Sequence, residues 1–488
     1  MSLIKRVISC GLAIVMAAGL MNGCGQTFKD EDIITLRWVT PENGPATDLD
    51  IVLAEANEYT KNKIGVTINL DFTDSQNLNR IMESGEYYDM IFSSDWLNRY
   101  DPNAAAGKFY DITDMIQSET PDLYNKIGEY WEAATVGGHI YGVPTLKDMG
   151  TEMMFRFNKD YYIDEKGMEI PEEMDFSDVE RYLEIYKADF PDKYPLGITK
   201  TGPAGFTNFL ERVIGTIIFI PYEGEVEAIP FWNSEKLMYR YRLMHKWFKA
   251  GYIDPNVVDI ESENDLPKDV PVRFGVAWRG YLGYSNPDDW GFNVAISFFD
   301  GPYISRKTEQ GALIAINSEC DEAHVRAALK YIELLNTDRK LRDMLAYGIE
   351  GTHFRYIENG TVLQLKNGLD NYNPGLYNTG SVVNASVVSA SERVLADPDL
   401  WEKVFEGYKT NGIFGKTEGF VYDQTETVEI VDTIMDIFDK YSTMLRTGAA
   451  DPDVIVPEIR EEMEAAGINE LLDDINSQLK THLESIEK

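Results

Sequence analysis

The chain has 488 residues, of which 44% are hydrophobic and 12% aromatic, and its formal net charge is −37 at pH 7. This length exceeds what one hydrophobic core usually supports, so we expect two lobes, and the apolar content excludes wholesale disorder. The strong negative charge disfavours binding to nucleic acids and to anionic lipid surfaces, because like charges repel each other.

The N-terminal segment has the pattern of an export signal. Lys5 and Arg6 precede an apolar stretch over residues 7–20, which is too short to span a bilayer. We therefore predict that residues 1–23 are a signal peptide and exclude them from the fold.

Cys24 stands where bacterial lipoproteins carry the cysteine that is lipidated after cleavage. Lipidation there would anchor the protein to the membrane through a polar tether over residues 24–33. The two residues before Gly23 fit the lipoprotein pattern poorly, so cleavage without a lipid is the alternative. Without the signal, Cys24 and Cys320 are the remaining cysteines, and we do not expect them to form a disulfide.

From residue 34 onward, strand and helix patterns alternate. Residues 66–72 alternate between apolar and polar side chains, which is typical of a strand with one buried face, and Gly85 suits the turn that ends a helix. The order β-α-β-α-β predicts parallel strands, right-handed crossovers and an open α/β sheet. Ligands of such sheets bind beyond the carboxyl ends of the strands. The predicted segments are strands at 34–39, 66–72 and 89–92 and helices at 49–59 and 78–82.

The later chain contains further elements. Residues 147–150 are a plausible crossing to a second lobe, and Ser234 is a good N-cap for a helix with apolar spacing. Residues 311–316 have the pattern of a strand, and the apolar stripe over 430–445 indicates a helical C-terminal region.

Motifs of common enzymes are absent from the sequence. It contains no H-E-x-x-H, G-x-S-x-G or G-x-G-x-x-G pattern, and its five histidines lack the spacing of metal ligands. We therefore predict no metal and no cofactor. The 82 acidic residues are too numerous for a catalytic pair to be singled out, so a glycosidase is not excluded at this stage.

Tryptophans next to Gly, Pro, Asn or Asp are the more informative feature. Flat apolar rings beside hydrogen-bonding groups suit a sugar, which presents C–H faces and hydroxyl edges. The alternative for each ring is a role in the core or as a loop anchor, and Trp38 and Trp96 are distinguished by their predicted positions at strand ends. The tryptophans concerned are Trp38, Trp96, Trp232, Trp278 and Trp290.

Several stretches, in this order along the chain, resemble the extracellular solute-binding lipoproteins of bacterial ABC transporters, specifically the Gram-positive LipO-like branch of this carbohydrate-type family. Near residues 372–384 the sequence departs from the family pattern, which bears on the details of the pocket. The matching stretches are S-G-E-Y-Y-D-M-I-F at 84–92, G-G-H-I-Y-G-V-P at 137–144, K-A-G-Y-I-D-P at 249–255, E-L-L-N-T-D at 333–338, Y-G-I-E-G-T-H-F at 347–354 and A-A-G-I-N at 465–469.

The resemblance implies an α/β, two-lobed, type II periplasmic-binding-protein-like fold with a hinge, a discontinuous chain in each lobe and a helical C-terminal region. It places one lobe at 34–147 plus 302–360 and the other at 148–301 plus 361–488. It implies a monomer on the extracellular face of the cytoplasmic membrane, lipid-anchored, or secreted if Cys24 is not lipidated.

The resemblance also implies the substrate-binding component of an ABC importer, which captures a sugar or oligosaccharide between its lobes and delivers it to a membrane permease without catalysis. The alternatives are a secreted carbohydrate-active enzyme, a binding protein for a non-sugar solute such as a peptide, and a surface adhesion protein. Glu350 has a second possible role in bracing the loop over residues 348–353. The expected ligand-binding residues are Trp38, Glu42, Asp95 and Trp96 from one lobe, Trp278, Arg279 and Tyr281 from the other, and Glu350.

Overall fold

The computed structural model describes residues 28–29, 32–41, 44–146, 149–277, 291–357, 362–376, 378–379, 387–388, 400–417 and 419–486. The predicted signal segment and Cys24 lie outside these ranges. Among the helices within them, none is both long and apolar enough to cross a membrane.

The elements of the described residues are numbered in chain order. The strands are β1 (Ile34–Pro41), β2 (Val66–Thr73), β3 (Met90–Ser93), β4 (Thr135–Val136), β5 (His139–Ile140), β6 (Gly142–Pro144), β7 (Thr151–Asn158), β8 (Leu196–Gly197), β9 (Leu210–Ile214), β10 (Ile218–Pro221), β11 (Ile229–Pro230), β12 (Val272–Ala277), β13 (Val294–Ile304), β14 (Leu313–Ile316), β15 (Phe354–Tyr356), β16 (Val362–Gln364), β17 (Val387–Val388) and β18 (Ile413–Phe414). The α-helices are α1 (Leu49–Ile64), α2 (Ser75–Ser84), α3 (Tyr100–Ala105), α4 (Thr113–Glu119), α5 (Pro121–Ile127), α6 (Glu180–Asp189), α7 (Glu235–Lys249), α8 (Arg306–Glu309), α9 (Glu322–Thr337), α10 (Arg339–Tyr347), α11 (Lys366–Asn371), α12 (Leu400–Asn411), α13 (Val428–Thr447), α14 (Pro452–Ala465) and α15 (Ile468–Ile486).

The first large sheet has the strand order β2-β1-β3-β14-β6. β1 pairs in parallel with both β2 and β3, as the β-α-β-α-β pattern predicts. β14 is antiparallel to β3 and to β6. The sheet is therefore mixed, because β14 belongs to a later part of the chain that enters it from the opposite direction.

The second large sheet has the order β18-β13-β7-β12-β8. Its central strand β7 is antiparallel to β12 and to β13, whereas β13 pairs in parallel with β18. The chain thus enters this sheet through β7 and leaves it through β13, the strand that leads back to β14 of the first sheet.

Two separate hydrophobic cores define two lobes. The core of the first lobe surrounds the β1 sheet and includes Leu36, Ile68 and Val325, which are fully buried. The core of the second lobe surrounds the β7 sheet and includes Phe155 and Trp247, which are also fully buried. The second core incorporates the C-terminal helices α13, α14 and α15. The expected two-lobed α/β fold with a helical C-terminal region is therefore confirmed.

The lobe boundary expected at residue 360 is corrected by the contacts of residues 362–376. The Tyr372 side chain is fully buried in the first core, and its hydroxyl donates to the Leu345 backbone oxygen at 3.0 Å. The Asn373 amide donates to the Pro45 oxygen at 2.7 Å. Residues 362–376 therefore belong to the first lobe, because burying Tyr372 there removes a large apolar surface from water.

Candidate functional site

A cavity of about 450 Å³ lies between the two lobes, beside α8. We call α8, the short helix that follows β13 on the way to β14, the hinge helix. The charged and hydrogen-bonding residues that line the cavity come from three places. They are Asp95, Arg99, Asp101 and Gln310 on the side of the first lobe, Lys307 on the hinge helix, and Glu211, Arg212, Thr417, Tyr422, Asp423 and Gln424 on the side of the second lobe.

The wall of the first lobe begins at the carboxyl end of β3, where ligands of α/β sheets are expected. Ser94 folds the chain into a tight turn, since its hydroxyl accepts a hydrogen bond from the Leu97 amide at 2.8 Å. The Asp95 amide donates to the Gln310 backbone oxygen at 3.2 Å, and its half-buried carboxylate lies at the cavity. Burial raises the pKa of Asp95 to about 6, although the nearby Lys307 acts in the opposite direction.

Asp101 is held in place by a network that joins α3 to the hinge helix. Arg306 donates to both carboxylate oxygens of Asp101, at 2.8 and 3.3 Å, and Gln310 donates to one of them at 2.8 Å. Arg306 also donates to the backbone oxygen of Thr135 at 2.7 Å. The charge of Asp101 is thus neutralised within the protein, and the start of the hinge helix is fixed to the first lobe.

Lys307 connects the same helix to the second lobe. Its ammonium group donates to the Arg212 backbone oxygen, on β9, at 2.8 Å. Burial lowers the pKa of Lys307, and the carboxylates of Glu211 and Asp95 oppose that effect. The hinge helix therefore contacts the first lobe through Arg306 and the second lobe through Lys307.

The wall of the second lobe combines β9 with the segment before α13. One carboxylate oxygen of Glu211 accepts a hydrogen bond from the Thr417 hydroxyl at 2.6 Å. The Tyr422 hydroxyl donates to Asp474 at 2.6 Å, which orients its ring at the cavity. Carboxylates, cations, amides and an aromatic ring thus surround a space large enough for a small polar ligand.

The prediction that Trp38 stacks on a ligand is corrected by the structure. Trp38 is fully buried in the first core, and its ring meets the Tyr331 ring edge to face with centroids 6.4 Å apart. Its register places it opposite Leu70 and Met90, inside the sheet rather than beyond its end. The strand continues to Pro41, so its carboxyl end lies three residues later than Trp38.

Of two consecutive expected residues, Asp95 and Trp96, the first lines the cavity and the second lies next to it in sequence. Trp96 has 53% of its surface exposed. The Trp96 indole nitrogen donates to the Gly311 backbone oxygen at 3.0 Å, and its ring packs against Phe92 at 5.7 Å. The ring is therefore held at one edge while a large part of its surface is open to solvent.

Glu350 does not line the interlobe cavity. It is exposed in a different depression on the first lobe, together with Glu55 and Arg339. Its backbone forms a bridge with Phe354, and the Gly351 amide donates to the Phe354 oxygen at 2.7 Å. These contacts agree with the alternative role of Glu350 in its loop.

The remaining expected residues, Glu42, Trp278, Arg279 and Tyr281, lie outside the residues that the structure describes. Conversely, sequence patterns did not identify Arg99, Glu211, Arg212 or Lys307. Arg99 could have been found, because it lies four residues after Asp95 in the same strand-end segment. Glu211 and Arg212 lie on a short strand with no local signal for a site.

Comparison with known proteins agrees with this architecture. Residues 416–484 match a family described as a domain of unknown function, DUF3502. The chain is 25% identical to a carbohydrate ABC transporter substrate-binding protein of Streptococcus pneumoniae serotype 4, with 99% of each sequence covered.

Two solved structures of an N-glycan transport solute-binding protein, NgtS, from Streptococcus pneumoniae are also similar, at 22% identity. The first has a TM-score of 0.80 and covers 92% of this chain and 99% of its own. The second, a complex with Man1GlcNAc, has a TM-score of 0.70 and covers 92% and 100%. The resemblance expected from the sequence is thereby confirmed: the chain is similar over nearly its whole length to the solute-binding proteins of bacterial ABC transporters and has their type II fold.

Proposed function

We propose that this protein is the substrate-binding component of an ABC importer, which captures a sugar or oligosaccharide between its lobes and delivers it to a membrane permease. The observation that carries the proposal is the polar cavity lined by both lobes around the hinge helix. A ligand that contacts both walls binds a closed form better than an open form, and this difference in affinity drives closure.

The recognition of hydroxyl groups is assigned to charged residues on the two walls. Asp95 and Glu211 supply carboxylate oxygens that accept hydrogen bonds, and Arg99 and Arg212 supply N–H donors. The exposed surface of Trp96 next to Asp95 offers an apolar platform for a sugar face. Glu42, Trp278, Arg279 and Tyr281 remain proposed contacts, on the strength of the family resemblance.

The similarity to known proteins supports the proposal in two ways. The Streptococcus pneumoniae relative that is matched over nearly its whole length is a carbohydrate transporter component. The similar NgtS structures include complexes with Man1GlcNAc and Man5GlcNAc.

The proposal extends to location and assembly. The family resemblance favours a monomer on the extracellular face of the cytoplasmic membrane, anchored through a lipid on Cys24. Mass spectrometry of the protein from its native membrane tests the anchor, because lipidation adds a defined mass to an N-terminal Cys24.

The central experiment is calorimetry of the purified protein against a panel of neutral and acidic oligosaccharides and short peptides, with X-ray scattering of the same samples. We expect saturable binding of a sugar, a smaller radius of gyration when it is bound, and no increase in reducing ends. Release of reducing ends would identify a hydrolase instead. Binding of peptides but no sugars would identify another class of importer.

A further inference from the structure

The interlobe cavity contains arginines that have no acidic partner among the described residues. Arg99 and Arg212 line opposite walls, and among the described residues no carboxylate lies within ion-pair distance of either. The recorded polar contact of the Arg212 guanidinium is the Asn208 side-chain oxygen at 3.4 Å. Lys307 lies between the two walls and donates to a neutral backbone oxygen.

Several other arginines of this acidic chain, which has 82 acidic and 45 basic residues, pair with a carboxylate. Arg37 pairs with Asp71 at 2.6 Å, and Arg242 pairs with Asp453 at 2.8 Å. Arg99 and Arg212 form no such pair among the described residues.

The cations also lie close enough to repel one another. The pKa of Arg212 is lowered by burial and by Arg446 and raised by Asp95. The pKa of Lys307 is lowered by burial, raised by Glu211 and Asp95, and lowered by Arg99. Arg446, which is not part of the cavity lining, donates to the Thr216 hydroxyl and forms no ion pair with a carboxylate of the described residues. Arg99, Arg212 and Lys307 thus line the cavity together, and an anion bound between them would relieve their mutual repulsion.

Three of the acidic residues of the cavity have hydrogen-bond partners of their own. Asp101 is paired with Arg306 and Gln310, and Glu211 accepts a hydrogen bond from Thr417. Asp423 accepts hydrogen bonds from the amide and the hydroxyl of Thr425. Asp95 is half-buried, and this burial disfavours its negative charge.

We infer that the sugar bound in this cavity is anionic, and that Arg99 and Arg212 grip its carboxylate or sulfate group from opposite lobes. This inference rests on the proposed function. A guanidinium group matches the two oxygens of a carboxylate or sulfate with parallel hydrogen bonds. The net charge of −37 does not prevent such binding, because at about 0.1 M salt the Debye length is roughly 10 Å and charges elsewhere on the surface are screened.

Closure would bring the two arginines to the same anionic group, since they come from different lobes. The negative charge would then act as the link that favours the closed form, beyond the contacts that any neutral sugar makes. An acidic ligand would thus gain more from closure than its uncharged counterpart.

The test measures affinity for matched pairs of oligosaccharides that differ in charge alone. We would use oligogalacturonates with their methyl esters, and sulfated oligosaccharides with their desulfated forms, by calorimetry at fixed ionic strength. We expect the acidic member of at least one pair to bind about tenfold or more tightly than its partner. The carboxylate and sulfate pairs distinguish the two sources of negative charge.

The variants R99Q and R212Q should each reduce this preference for the acidic member by about fivefold or more. Arg355 is the matched control, because it is exposed, lies on β15 outside the cavity and pairs with no carboxylate in the described part of the chain. R355Q should retain the full preference.

Saturable binding of neutral sugars without preference for either acidic form would overturn the inference and leave the proposed function intact. Retention of the wild-type preference by both R99Q and R212Q would likewise overturn the inference and leave the proposed function intact. If no sugar of either charge binds, the proposed function itself fails.

Discussion

Tyr303 and Ile304 are consecutive residues of β13, yet their side chains belong to different hydrophobic cores. Tyr303 is 1% exposed in the core of the second lobe, and Ile304 is 2% exposed in the core of the first. The passage between the lobes is therefore confined at this strand to a single peptide unit. Rotation of one lobe against the other must be absorbed here and in the hinge helix that begins at Arg306.

The first prediction concerns the link between Lys307 and β9. K307M should weaken sugar binding about three- to tenfold. Without the contact between Lys307 and β9, the relative orientation of the two lobes is less fixed in the free protein, and ordering it on binding costs free energy. The free energy of unfolding of K307M should change by less than about 1 kcal/mol, since the contact is a single hydrogen bond to a backbone oxygen. Calorimetry and urea unfolding measure the two effects.

K409M is the control for the loss of a lysine charge. Lys409 forms an exposed ion pair with Glu129 at 3.6 Å, outside the interlobe cavity. Unchanged affinity in K409M together with weaker binding in K307M would assign the effect to the hinge contact. Equal losses in the two variants would contradict it.

The second prediction uses the pKa of Asp95, which burial raises from 3.8 to about 6. Between these values the folded protein holds a proton that the unfolded chain has released, so the free energy of unfolding falls as pH rises from about 4 to 6. Above about pH 6 Asp95 is ionised in both states, and the free energy of unfolding no longer falls on its account. D95N cannot ionise and should be about 1 to 3 kcal/mol more stable than the wild type at pH 7.5.

The advantage of D95N should shrink as the pH is lowered to 4.5, as measured by urea unfolding at both pH values. Asp423 provides a control of opposite sign, because hydrogen bonds from Thr425 lower its pKa. D423N should therefore destabilise the protein at pH 7.5. A stability difference between D95N and wild type that is independent of pH would show that ionisation of Asp95 is not its cause.

The third prediction concerns a buried ion pair in the second lobe. Arg240 is 1% exposed, bonds to Asp300 and stacks over the Phe209 ring at 4.4 Å. D300A would leave a buried guanidinium without its counter-ion, and we expect a loss of about 3 to 5 kcal/mol in the free energy of unfolding.

Lys236 offers a matched control, since it also pairs with Asp300, at 2.8 Å, but its side chain is 45% exposed. K236M should cost less than about 1 kcal/mol. Similar losses for D300A and K236M in urea unfolding would indicate that burial of Arg240 is not decisive.

The fourth prediction assigns a structural role to His353. Its Nδ1 accepts a hydrogen bond from the Ile349 amide at 2.9 Å, so Nε2 carries the proton and donates to Asp48 at 3.0 Å. The side chain is fully buried. H353A should lower the free energy of unfolding by about 2 to 4 kcal/mol, because it removes both bonds and leaves a cavity.

His324 is the comparison, because it is partly exposed and pairs within its own helix with Asp321 at 2.9 Å. H324A should cost less than about 0.5 kcal/mol. Urea unfolding of the two variants measures both losses in the free energy of unfolding. A small loss for H353A would contradict the role of His353 as a structural link.

Local sequence determined the elements of this protein and the faces that they bury. The buried residues of α2 are the predicted Leu78, Ile81 and Met82, and Ser234 caps α7 by accepting from the Leu237 amide. Helical and strand periodicity and capping depend on neighbours within a few residues, so they can be inferred from the sequence by itself.

The tertiary structure decided the partners of these elements. Asp48 stands directly before α1, but its side chain makes no cap bond and instead accepts from His353, 305 positions away. An indole near a strand end is compatible with either a core or a cleft. Trp38 lies in the core, because Tyr331 of α9 packs against its ring. The cavity brings together residues as distant as Arg99, Arg212 and Lys307, and such a meeting depends on the packing of two whole lobes rather than on any local pattern.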